Sequence, residues 1–136
     1  MTKKIDLNKY SEFVDGVTSQ QSKDFDSFIR RIKELQEAGA DIPRLLTAGI
    51  GLASEGGEFD EIIKKIIFQG KEYNEDNVFH MKRELGDIIW YWIQACMALG
   101  LDPNEVVAEN VKKLENRYPG GKFDAWHSEN RLENDL

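Results

Sequence analysis

The sequence predicts an all-α fold, a helical bundle of four to five helices. Three observations predict it. Apolar residues recur at helical spacing through most of the chain, and no segment shows the sustained alternation of a half-buried strand. Turn and capping residues punctuate the chain at helix-length intervals. At 136 residues the chain has room for one hydrophobic core, and no repeat or Pro/Gly/Ser-rich linker divides it. The expectation is therefore a single domain over 1–136.

Taken in order, Leu7 to Val17 reads as a short first helix. Ser22 is placed to cap a second, with Phe25, Phe28, Ile29, Ile32 and Leu35 at helical spacing and Gly39 as its C-terminal signal. Pro43 suits the first turn of a long third helix that runs to Phe68 and stops at Gly70. Asn74 is positioned to cap a fourth, ending at Leu99–Gly100. Asp102, Pro103 and Glu105 form the box-like start of a fifth, which reaches Arg117 before Pro119, Gly120 and Gly121 stop it. Residues 124–136 read as a tail, with Phe123 and Trp126 suggesting that it docks.

Charge and composition exclude several functions. Asp and Glu number 25 against 18 Lys and Arg, a net charge of -7. A basic face that tracks a nucleic-acid backbone is not expected. Apolar runs fall far short of the ~20 residues that cross a bilayer. One cysteine, Cys96, forms no internal disulfide, and no charged-then-apolar leader opens the sequence, so the expected compartment is a reducing cytoplasm. Cys96 has no histidine partner nearby in sequence and reads as a small buried apolar residue.

The chemistry sits in two acidic pairs. Glu55 and Glu58 on the third helix, and Glu84 and Asp87 on the fourth, are each spaced i, i+3, which places both carboxylates on one side of a helix. At about 100° per residue, the first pair falls in the stripe of Phe59, Ile62 and Ile66, the second in that of Ile88, Tyr91 and Ala95. Both pairs are thus expected to point inward, where four carboxylates repel one another unless a cation intervenes. All-oxygen ligands select Mg²⁺ or Mn²⁺. A di-iron bundle needs Glu-x-x-His on two helices, and neither His80 nor His127 lies three residues after one of the four acids. His80 reads as a surface residue or a supporter of the acids. Gly49 and Gly51 read as points of close helix packing. Gly56, Gly57 and Gly86 suit either packing or room for a ligand.

Three blocks carry a resemblance: Gly51-Leu52-Ala53-Ser54-Glu55-Gly56-Gly57-Glu58-Phe59; Glu84-Leu85-Gly86-Asp87-Ile88-Ile89-Trp90-Tyr91; and Asn110-Val111-Lys112-Lys113-Leu114 through Arg117-Tyr118-Pro119-Gly120-Gly121-Lys122-Phe123. In order and spacing, over about 43–123, the chain resembles the MazG-like nucleoside triphosphate pyrophosphohydrolases of the all-α pyrophosphatase superfamily. The resemblance implies a homodimer or homotetramer with sites near subunit contacts, and Mg²⁺-dependent cleavage of a nucleoside triphosphate to the monophosphate and pyrophosphate. It implies Glu55, Glu58, Glu84 and Asp87 as metal ligands. Tyr91 falls near the phosphates, and Asn110, Lys113, Arg117 and Tyr118 fall on the block that holds substrate. Many relatives carry a glutamate where this chain has Ser54, which argues against a second complete metal site.

The residues themselves suit such chemistry. Glu55 or Glu58, whichever the metal leaves free, is the candidate base for the attacking water. Lys64, Lys65, Lys71 and Lys113 are candidates to face phosphates, and Lys122 is within reach of a neighbouring site. The rival reading is a non-catalytic helical module that binds a nucleotide or a partner and keeps its acids as a structural metal site. Trp90, Tyr91 and Trp92 spread over about 200° of the fourth helix; Trp92 is expected in the core and Trp90 at a subunit contact.

Overall fold

The structure, a computed structural model, describes residues 4–135. Among them there are seven helices and no strand: α1 (Asn8–Gly16), α2 (Gln20–Lys23), α3 (Phe25–Glu37), α4 (Ile42–Phe68), α5 (Glu75–Ala98), α6 (Pro103–Arg117) and α7 (Ala125–Glu129). The fold is all-α, as the sequence predicts, with more helices than the four to five expected. The chain forms two compact units, Met1–Ile42 and Pro43–Leu136.

In the first unit, α2 and α3 replace the single helix expected from Ser22. Ser22 lies inside α2 and contacts Ser19 Oγ at 3.0 Å. Asp24 is the cap instead. Its extended backbone breaks the helix, and its carboxylate accepts from the Ser27 N–H at 2.9 Å and the Ser27 hydroxyl at 2.6 Å. Those bonds hold Asp24 below the usual carboxylate range. Lys23 closes the α1–α2 corner by donating to the Asp15 carbonyl at 2.9 Å.

The second unit is organised by α4 and α5, which run antiparallel. Arg44 near the start of α4 donates to Gln94 Oε1 near the end of α5 at 3.1 Å, Gly51 meets Tyr91, and Glu55 lies beside Glu84. The ends of both helices were legible in their punctuation. Asn74 caps α5 through the Asn77 N–H at 3.0 Å. Gly70 and Gly100 adopt φ of 73° and 66°, the left-handed conformation that ends a helix. Asp102 caps α6 by accepting from the Asn104 N–H at 2.8 Å, with Pro103 in the first turn. Residues beyond Gly121 are more than a tail. Asp124 caps α7, and the chain then returns to α6, where Asp135 takes both nitrogens of the Arg117 fork at 2.7 Å each.

Gly51 is buried because the Tyr91 ring lies against its backbone, and a β-carbon there would fall inside the ring. Gly49, expected to serve the same purpose, opens onto space, as do Gly56, Gly57 and Gly86. The difference gives a paired prediction. Gly51→Ala should lower stability by about 1–3 kcal/mol through overpacking. Gly49→Ala should leave it unchanged or raise it by up to ~1 kcal/mol through helix propensity. Thermal melts of both variants decide; equal effects would contradict the close approach.

The buried apolar side chains of the second unit are few: Ala48, Ile62 and Cys96. The α5 helix is apolar on two sides. Ile88, Tyr91 and Ala95 are half-buried, whereas Leu85, Ile89, Ile93 and Met97, at successive i, i+4 positions, are 53%, 57%, 36% and 56% exposed. Trp90 is also exposed and meets Tyr91 edge-on, and Trp92 is half-buried. No helix among the described residues is long and apolar enough to cross a membrane.

Candidate metal centre

Where α4 and α5 pass each other, Glu55, Glu58 and Glu84 each offer a carboxylate oxygen, and the three oxygens lie within 4.8 Å of one another. The helices set this up: Glu55 and Glu58 are one turn apart on α4, and Glu84 arrives from the opposing helix. Glu84 is 6% exposed, and its Oε2 is buried without a hydrogen-bond partner. Glu55 is half-buried, and Glu58 and Asp87 are exposed. The two pairs were expected to point inward together. Instead each helix turns its first acid inward and leaves the second at the rim, because an i, i+3 pair is still about 60° apart on the helix.

Crowding shows in Glu55, whose carboxyl is pushed up to about 7 from an ordinary 4.5. In its protonated form Glu55 hydrogen-bonds Glu84, which contributes most; loss of solvent follows, then the charges of Glu58, Asp87 and Glu84. With both acids ionised, Glu84 Oε2 has no partner. Folding therefore takes up a proton here at intermediate pH. The stabilisation is complete below about 4.5 and is lost as pH rises through about 7. In metal-free buffer the melting temperature should fall between about pH 5 and about pH 8, and Glu55→Gln should flatten that fall. A Glu55→Gln profile parallel to that of the unaltered protein would contradict the shared proton.

These residues fit a hard divalent cation. A nearly buried carboxylate oxygen without a partner is costly, and the charged neighbours that raise Glu55 are all carboxylates. An oxygen-only donor set suits Mg²⁺ or Mn²⁺.

The remaining candidate residues lie elsewhere. Tyr91 packs on Gly51, one turn beyond Asp87. Lys64 and Lys65 both pair with Glu61, at 3.0 and 3.4 Å. The Lys71 N–H closes the end of α4 on the Lys65 carbonyl at 3.0 Å. Asn110 and Lys122 are exposed on and after α6. Lys113 and Arg117 face the C-terminal segment: Lys113 stands 3.7 Å from Asp135, and Arg117 is held bidentately by it. That pairing raises Arg117 above its usual value and lowers Asp135 below its own. Tyr118 packs on Phe123 with ring centres 5.8 Å apart. Asp135 escaped the sequence reading, although an acidic stretch holding Glu129, Glu133 and Asp135 after a helix bearing Lys112, Lys113 and Arg117 was a visible signal.

Residues 45–121 match the MazG nucleotide pyrophosphohydrolase domain. The chain belongs to that family. The matched span of the MazG domain contains the three clustered carboxylates, Asp87, Tyr91 and the Asn110–Tyr118 block; α1 to α3 and α7 lie outside it. The Gene 37 protein of Mycobacterium phage L5 is 32% identical over 74 residues, covering 53% of this chain and 64% of the phage protein. The chain thus spans less than two-thirds of that relative's length. No solved structure matches.

Proposed function

We propose that this MazG domain is a divalent-metal-dependent nucleoside triphosphate pyrophosphohydrolase that releases the monophosphate and pyrophosphate. The observation that carries the reading is the partnerless, buried Glu84 Oε2 set among the oxygens of Glu55 and Glu58 in a chain of this family. Glu55, Glu58 and Glu84, with Asp87 at the rim, would hold Mg²⁺, or Mn²⁺ in its place, and the ion would supply neutralising charge for the phosphate oxygens. Glu55, where the ion leaves it free, is the proposed base for the attacking water. Glu58 is the alternative, being exposed and nearest in sequence. Tyr91 is fixed against Gly51 and lines the same helix pair. Lys65, Lys71, Asn110, Lys113, Arg117 and Tyr118 are proposed to bind substrate. For Arg117 this requires exchange of Asp135 for phosphate, which a guanidinium fork accommodates equally well.

A homodimer or homotetramer belongs to the same reading. A helix apolar on two sides is a buried helix, and a second copy is proposed to cover the exposed side of α5. A cytoplasmic setting accords with the buried, unpaired Cys96.

Incubation of the purified chain with Mg²⁺ and a panel of ribo- and deoxyribonucleoside triphosphates tests the function. Pyrophosphate and monophosphate in equal amounts are expected from at least one member. Nucleotide binding without cleavage across the panel would favour the non-catalytic module.

A further inference from the structure

We propose that His80 is a positioning residue for the carboxylate cluster: its imidazole holds one oxygen of Glu84 so that the other faces a divalent cation. The proposal rests on the metal-dependent reading above and adds a residue to it. His80 Nε2 stands 3.3 Å from Glu84 Oε1, one turn earlier on α5. The two ends of this contact differ in character. The Glu84 side chain is 8% exposed and His80 is 52% exposed, so an imidazole at the surface reaches down to a carboxylate in the helix interface. The histidine meets Oε1; Oε2 is buried and, with Glu55 ionised, has no hydrogen-bond partner.

That asymmetry separates the two oxygens by role. A contact that served only to neutralise a buried acid would leave no reason for an orphaned oxygen beside two further carboxylates. An imidazole standing against Oε1 restrains the carboxylate's rotation and leaves Oε2 as the oxygen available to the cluster. Carboxylates that ligate metals are commonly anchored in this way through their other oxygen, and loss of the anchor weakens metal binding about 10–100-fold. His80 is not among the residues whose ligand atoms lie within 4.8 Å of one another. It therefore acts through Glu84 and is not itself a ligand.

Calorimetric titration of the full chain with Mn²⁺ alone tests this, using the unaltered protein, His80→Ala, His80→Gln and Glu84→Gln, with metal-free melting temperatures measured in parallel. His80→Ala is expected to weaken Mn²⁺ binding about 10–100-fold. His80→Gln, which keeps an N–H donor, should recover most of it. Both should melt close to the unaltered protein without metal, since position 80 is exposed. Glu84→Gln should remove binding. Unchanged Mn²⁺ affinity in His80→Ala, alongside loss in Glu84→Gln, would overturn the role of His80 and leave the metal reading standing. Absence of Mn²⁺ binding by the unaltered protein would overturn both.

Discussion

Glu84→Gln is expected to cut pyrophosphate release by about a thousandfold, a loss of the size seen when one well-placed electrostatic group is removed. The amide conserves the shape of the side chain, so α5 should keep its packing. What changes is the charge on the most buried member of the cluster and the oxygen that lacks a partner in the folded protein. The same substitution should raise the metal-free melting temperature above neutral pH, because it removes one of the negative charges crowded beside Glu55. Loss of activity together with gain of stability is the signature of a site strained for function. A variant that lost both would point to a structural acid. Glu58→Gln and Asp87→Asn should also abolish turnover and leave the fold intact. Activity surviving all three changes would remove these carboxylates from the reaction.

Ile89→Glu is expected to leave a single 15.6 kDa chain where the proposed homodimer or homotetramer would otherwise form. Ile89 sits within the exposed stripe of Leu85, Ile93 and Met97. Burial of such a side chain contributes about 1.5–3 kcal/mol, and each copy would bring a full stripe to the proposed symmetric contact. A charge placed there is stranded when the stripe is covered, with no partner in its apolar neighbours. Light scattering should give two or four chain masses for the unaltered protein and one for the variant. An unaltered protein that scatters as a single chain would contradict assembly through α5.

Much of this was legible in the sequence, for reasons that are local. The α4, α5 and α6 boundaries are written in Pro43, Gly70, Asn74, Gly100 and Asp102, whose effects act within one turn. The start of α3 was misplaced because Ser22 and Asp24 are both good caps two residues apart. Two bonds to Ser27 favour Asp24, and one of them involves a side chain that boundary rules ignore. The clustering of Glu55, Glu58 and Glu84 was legible because their spacing matched the apolar stripe. Their inequality was not, since phase alone does not separate Glu84 from Asp87 when both lie near the edge of one face. Gly49 and Gly51 are alike in sequence, and only the position of Tyr91 on the opposing helix distinguishes them. The clamp of Arg117 by Asp135 spans 18 residues and a reversal of the chain, a scale at which pattern carries little information.

Anomalous scattering from crystals soaked in Mn²⁺ tests the central claim most directly. A single strong peak within coordination distance of Glu55, Glu58 and Glu84, with Glu84 Oε2 among the ligands, is the predicted result. Well-diffracting crystals with manganese elsewhere, or with these side chains turned apart into solvent and no metal between them, would contradict it.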